Sequence, residues 1–273
     1  MFWEDKVKQR LSRDELGAEV ARTQAALHQG GVTVLDRVAA ILPNMPEGVV
    51  GVLATAALGA VWSSCSPDFG VEGVLDRFGQ IEPKVLIACD GYHYNGKSID
   101  ISDKLAAIAS RLPTLRLIIV VSYLGRAKEV VQRLNASLVH SQRAQTWADA
   151  VSARAGGRVQ FTRLPFAQPL YIMFSSGTTG MPKCIVHSAG GTLLKHLSEH
   201  RMHCDLRAGD RLFYFTTLGW MMWNWLISGL ASGATPAALR WLAFPSFRQH
   251  SVGLRRGGES DPFRHLRQIR RRR

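Results

Sequence analysis

The 273-residue sequence has no long apolar run. Its longest, GVVGVLATAALGAVW from Gly48 to Trp62, falls short of the roughly 20 residues that a bilayer-spanning helix needs. No basic start leads into an apolar stretch with a small-residue cleavage site, so a secretory signal is not expected either. A soluble cytoplasmic protein with no membrane partner is the default. Cysteine is scarce: Cys65, Cys89, Cys184 and Cys204 are widely spaced and form no CxxC pair, which argues against a disulfide scaffold or a zinc ribbon and for free thiols, some of them buried. No internal repeat is found, and lysine is missing from the last 38 residues.

What is present suits a globular chain, with 46% hydrophobic and 20% charged residues, enough for one large core or two modest ones. The net charge of +13 raises the question of nucleic acid, and its distribution answers it. Ten of the 34 basic residues, all arginine, and two of the 21 acidic ones lie in Pro236–Arg273, which carries +8 of the +13. The other 235 residues are ordinarily charged for an enzyme.

Helical and strand patterns alternate from the start. Ser12 and Glu15 have capping-box spacing, Leu16, Val20 and Leu27 give an apolar face, and Gly30-Gly31 supplies a stop. Strands are predicted at Arg37–Leu42, Ala60–Cys65, Lys84–Cys89, Leu115–Val121, Leu170–Phe174, Cys184–His187 and Arg211–Thr217, with a second helix opened by Asn44 and Glu47 and running through the apolar stretch, and further helices over Val71–Ile81 and near Ser102–Leu112. Apolar β-branched strands alternating with helices imply an α/β fold, mainly parallel sheets covered by helices. Between Ser122 and Pro169 the pattern weakens, and a surface connection or subdomain boundary is expected there.

The stretch with the most chemistry is SSGTTGMPKC, Ser175–Cys184, following the strand LYIMF. Gly177 and Gly180 permit close backbone approach, Ser175, Ser176, Thr178 and Thr179 offer hydroxyls, and Lys183 offers a cation, the groups that a polyphosphate needs. The spacing is not that of a Walker A loop. Composition alone leaves a polar strand-to-strand turn as an equal alternative.

With its surroundings the loop is more specific. PLYIMFSSGTTGMPKCIVH resembles the phosphate-binding signature of the acyl-adenylate-forming enzymes, and three further segments are similar to the acetoacetate-CoA ligase family within them: ILPNMPE from Ile41, the run Gly59–Lys97, and HSAGGTLLKHLSEHRMHCDLRAGDRLFYFTTLGWMMWNW from His187. The resemblance covers Phe2–Thr235 and implies part of a large N-terminal AMP-binding domain over residues 1–235. It implies acetoacetate, ATP and coenzyme A as substrates, with Mg2+ accompanying ATP, and acetoacetyl-AMP as the intermediate. The loop hydroxyls, glycines and Lys183 would then face the β- and γ-phosphates, with Lys183 stabilising the pyrophosphate as it leaves. Cys184 stands where many members have glycine. GWMMWNW matches a segment lining the carboxylate pocket, which makes Trp220, Met221, Met222 and Asn224 candidates for acid recognition; a buried helix face is the competing reading. The segments Phe69-Gly70 and Tyr94–Lys97 lie near where the family holds the coenzyme A nucleotide.

His187, His196, His200, His203 and Cys204 crowd into 18 residues, and His196 and His200 have i, i+4 spacing. HExxH is absent, so a solvated or hydrogen-bonding helix is expected rather than a metal site. After Thr235 the resemblance stops. The family's Thr-Glu magnesium motif and Thr-Gly-Asp ribose motif are not found in these 273 residues, and the arginine-rich tail reads as a reading-frame displacement starting near Pro236 and is expected to be disordered. The expectation is therefore ligase ancestry without turnover by this polypeptide. The alternatives are a remnant that binds nucleotide weakly, and nonspecific nucleic-acid binding by the tail. No specific nucleic-acid partner is expected.

Overall fold

The computed structural model describes residues 2–3, 6–7, 10–138, 142–152, 157–175, 180–237 and 252–255. After the short antiparallel pair β1 (Phe2–Trp3) and β2 (Lys6–Val7), helix α1 (Arg13–Gln29) begins on the predicted capping box. Glu15 N donates to Ser12 Oγ, and Ser12 N donates to Glu15 Oε2 at 2.7 Å. The helix ends at Gly30, and Gly31 takes the left-handed conformation at φ 82°.

From there strand and helix alternate: β3 (Arg37–Ile41), α2 (Pro46–Ala57), β4 (Val61–Cys65), α3 (Val71–Ile81) and β5 (Val85–Cys89). A hairpin of β6 (Gly91–Tyr94) and β7 (Lys97–Asp100) turns on Asn95 and Gly96, both at positive φ, as an Asn-Gly type I′ turn requires. Then come α4 (Ser102–Ser110), β8 (Leu117–Val121), α5 (Ala127–Ser137), β9 (Arg143–Thr146), α6 (Trp147–Ser152), β10 (Pro169–Phe174) and β11 (Cys184–Ser188). Helix α7 (Ala189–Ser198) runs into a π-helical turn at Glu199–His203, followed by β12 (Arg211–Tyr214), α8 (Met221–Ser228), a 3-10 turn, β13 (Thr235–Ala237) and β14 (Val252–Arg255).

Seven strands form the main sheet in the order β11-β10-β4-β3-β5-β8-β9; all neighbours are parallel except β10 and β11. The central strands are buried along their length: VLIAC and LIIVV have no exposed residue, as expected where helices cover both faces. Helices α1, α2 and α6 pack together, and α3, α4 and α5 form a second group. The chain steps from β3 to β4 on one side and then returns to β5 on the other. Order thus reverses at β3, and the crevice beyond the carboxyl ends of β3 and β4 is where open α/β sheets bind ligands.

Two expectations need correcting. Residues 122–169 do contain an irregular connection, 157–168, but they also supply α5, the edge strand β9 and α6, and β9 extends the main sheet. The strand escaped notice because RAQT sits at an edge, where only alternate positions are covered. The Arg211–Thr217 strand is shorter, ending at Tyr214. The Thr235/Pro236 boundary falls inside β13, parallel to β12, while β14 pairs antiparallel with β12 on its other side. These short strands of the tail, 236–237 and 252–255, have regular structure where disorder was expected, and the rest of it lies outside the described residues. Among the described residues no helix is long and apolar enough to cross a membrane.

Candidate active site

Strand β10 carries the loop because it is apolar and half-covered, lying parallel to β4 through Tyr171 opposite Trp62 and antiparallel to β11 from Tyr171 to Phe174. Its last residue opposes Cys184, and Ser175 N donates to Lys183 O at 3.0 Å, which closes the base of the loop. The predicted phosphate donors Ser176, Gly177, Thr178 and Thr179 lie outside the described residues. Gly180 has φ 107° with open space where a Cβ would stand, so only glycine takes this conformation without strain. Lys183 is exposed. Among the described residues Lys183 makes no ion pair, and it stands with Ser175 at the carboxyl edge of the sheet.

Next to the base of the loop lies a small cleft, about 230 Å³ of empty space with its open mouth included. Its floor is Trp62 and Ser64 of β4, one wall is Tyr171–Phe174 of β10, and the other is Leu218, Gly219 and Asn224. Only about 10 Å³ of it can take the centre of a water molecule, so in this conformation the cleft holds roughly one water. Ser64 Oγ donates to Leu218 O at 2.7 Å and accepts from the Trp62 indole N–H at 3.2 Å, which ties the wall to the floor. Burial pushes the Tyr171 phenol up to about 12, so it stays protonated at neutral pH.

Of the four residues named for acid recognition, the structure places Asn224 in the cleft lining, with its amide donating to Met173 Sδ at 3.6 Å. Trp220 and Met221 are 62% and 45% exposed beside it, and Met222 packs against the core. The buried face of α8 is Trp223–Ile227, so the Trp/Met run is partly core and partly surface. The β4 contributors Trp62 and Ser64 were missed by sequence reasoning, because nothing in AVWSSC distinguishes a cleft floor from an ordinary buried strand.

Of the two segments expected near a coenzyme A nucleotide, Phe69-Gly70 lies against Lys104. Its Nζ donates to Pro67 O and Phe69 O, holding the loop before α3. Burial lowers its pKa, and the Tyr92 ring lies 5.9 Å away. Lys97 itself is exposed.

The histidine cluster is not a solvated helix face. His196 is 7% exposed and pairs Nδ1 with Ser228 Oγ at 2.8 Å; His200 is fully buried, 4.5 Å from the Trp225 ring, within the π-helical turn. Burial is the first cause of both lowered pKa values, with His196 brought to about 4, so both rings are neutral near pH 7. Their i, i+4 spacing serves packing against α8 and not an outward face. Among the described residues no group of three or more His, Cys, Asp or Glu is placed to hold a metal ion. All four cysteines are free; burial holds Cys65 and Cys89 near 12.

Comparison with known proteins agrees with this architecture. The chain is 58% identical over 234 residues to the acetoacetyl-coenzyme A synthetase of Rhizobium meliloti, covering 85% of this chain and 34% of that protein. It is 46% identical over 227 residues to the acetoacetyl-CoA synthetase of Mus musculus, covering 83% and 33%. The solved acetoacetyl-CoA synthetase from Streptomyces lividans superposes with a TM-score of 0.75 at 44% identity, over 85% of this chain and 34% of that one. The chain thus spans about a third of the length of these relatives. The family model described as AMP-binding enzyme matches residues 2–246, most of the sequence, and the chain belongs to that family.

Proposed function

We propose that this chain carries the phosphate loop and acid cleft of an acetoacetate-CoA ligase. In the first half-reaction a carboxylate oxygen of acetoacetate attacks the α-phosphorus of ATP, the bond to the β-phosphate breaks, and acetoacetyl-AMP and pyrophosphate form. In the second, the coenzyme A sulfur attacks the acyl carbon and the bond to AMP breaks, giving the thioester.

Lys183 and the loop from Ser175 to Gly180, with the hydroxyls of Ser176, Thr178 and Thr179 and the backbone at Gly177, take the β- and γ-phosphates. Their charge and N–H groups are worth most as negative charge gathers on the leaving pyrophosphate. Mg2+ would arrive with ATP and offset part of the charge on its phosphates. Asn224 offers an amide to the keto oxygen of a short acid, with Trp62 and Tyr171 bounding the cleft and Trp220, Met221 and Met222 flanking its mouth. The same reading places the protein in the cytoplasm, where ATP and coenzyme A are available, acting on small molecules and not on specific nucleic acid.

The observation that supports this reading best is the adjacency of the base of the loop to the cleft: Phe174 lines the cleft, and the next residue, Ser175, donates its N–H to Lys183 O. The identity of 58% to an acetoacetyl-coenzyme A synthetase supports the choice of acid. We further propose that residues 236–273 arise from a displaced reading frame, which the gene sequence around codon 236 tests directly.

Function is tested by exchange. Residues 10–235 replace the matching segment of the Streptomyces lividans protein, and acetoacetate-dependent exchange of labelled pyrophosphate into ATP is measured. Retained exchange, lost on Lys183→Ala, is expected; a folded chimaera that exchanges with acetate but not acetoacetate overturns the assignment of the acid. The 273-residue polypeptide alone is expected to show no exchange.

A further inference from the structure

Strand β11 is the edge of the main sheet, and Cys184, Ile185 and Val186 are all exposed. Among the described residues its sheet neighbour is β10 alone, so there the sheet holds the Lys183 end of the loop from one side. A second hold comes from α3. Gln80 Nε2 donates to Pro182 O at 2.8 Å, and Gln80 Oε1 accepts from the Cys184 thiol at 3.6 Å. One amide therefore grips the residues immediately before and after Lys183. Burial raises the Cys184 pKa, which keeps the sulfur protonated and able to donate.

The same helix face meets the other end of the loop. Arg77, three residues earlier and on the same side of α3, stands 4.8 Å from the Phe69 ring and 5.9 Å from the ring of Phe174, the last residue of β10. Its guanidinium is fixed by donating to Gly73 O at 2.7 Å. Helix α3 thus touches the strand that enters the loop and the strand that leaves it, across about a hundred residues of sequence.

We infer that Gln80 is a positioning residue for the phosphate loop: it sets where Lys183 stands relative to the bound polyphosphate without touching the nucleotide itself. The inference rests on the loop's being a phosphate site, as proposed above. A hairpin end free to pivot on an edge strand would spend part of its time with Lys183 displaced, and a charge that is only sometimes in place binds more weakly in proportion.

The test is a double-mutant cycle read by calorimetric titration of the 273-residue chain with MgATP. Gln80→Met keeps the side-chain length and helix propensity and removes the hydrogen bonds to Pro182 and Cys184, together with the one from Gln80 Nε2 to Asp76 O within α3. Roughly fivefold weaker binding is expected in the otherwise unchanged chain, and no further loss when Gln80→Met is added to Lys183→Ala, because the effect passes through that lysine. Equal losses in both backgrounds, or no loss at all, overturn the inference. Amide hydrogen exchange without nucleotide supplies an independent readout. Exchange at Lys183 and Cys184 should rise in Gln80→Met while the core strand Val38–Ile41 keeps its protection; unchanged exchange at the loop overturns the inference. If the unaltered chain binds no MgATP while exchange responds to Gln80→Met, the phosphate-site reading fails and the structural brace stands alone.

Discussion

The indole N–H of Trp223 donates to Asn44 Oδ1 at 3.0 Å, joining helix α8 to the turn after β3 across 179 residues of sequence. Both residues are buried, at 0% and 2% exposure, and Asn44 Nδ2 also reaches Thr216 O at 3.5 Å. This pair fixes the wall of the cleft to the carboxyl end of the central sheet.

Trp223→Phe leaves the Asn44 carbonyl oxygen buried without a donor, at a cost of about 1–3 kcal/mol. Trp223→Ala adds a cavity and should cost about 3–5 kcal/mol. Urea denaturation followed by circular dichroism checks both, and a loss under ~0.5 kcal/mol for Trp223→Phe would show that the bond contributes nothing net.

Two glycines should respond in opposite directions. A Cβ on Gly51 of α2 would sit 3.0 Å from two carbons of the Trp62 ring and 3.3 Å from Ile87 Cδ1, with no flexible chain end to give way at the ring. Gly51→Ala is therefore expected to cost about 1–3 kcal/mol and to shift the floor of the cleft. Gly79 of α3 has open space at the same position, and Gly79→Ala should stabilise by ~0.5–1 kcal/mol through helix propensity. Thermal melts of the two variants distinguish them by sign.

Acid should weaken the fold before its carboxylates protonate. His196 is held near 4 in the folded chain by burial first and the His200 charge second, against ~6.5 unfolded. Between these values the unfolded state binds the extra proton, so this contribution is fully present above pH ~6.5 and is lost as pH falls towards 4. Its size is a few kcal/mol at most, since each pKa unit corresponds to about 1.4 kcal/mol. His200 acts in the same direction, and Glu47, raised by burial, opposes it by losing stability as pH rises. The urea midpoint should fall between pH 7 and pH 5, and His196→Gln should flatten that fall; an unchanged slope would remove His196 from the account.

Lys183→Ala should weaken MgATP binding by tenfold or more and reduce its dependence on salt, since a single exposed cation supplies the charge-assisted contact. Titration at two salt concentrations measures both effects. Equal affinity and equal salt slope in the variant would place the nucleotide elsewhere.

The sequence by itself determined the features whose causes are local. Ser12 and Glu15 specify the start of α1 because a capping box satisfies two backbone donors within four residues. KVLIAC and LRLIIVV, short and β-branched, mark covered strands, and the side chains from Ser175 to Lys183 point to the phosphate loop proposed above. Tertiary structure decided the rest. RAQT became a strand because β8 offered it an edge, not because its own residues favour one. His196 and His200 became buried neutral rings because α8 packs over them, a fact that i, i+4 spacing leaves open. The cleft exists only where Trp62 and Ser64 meet Leu218 and Asn224, residues brought together from positions more than 150 apart. Local propensity and periodicity are written along the chain, whereas a concave site is made by surfaces distant in sequence, and those are set by strand order and packing.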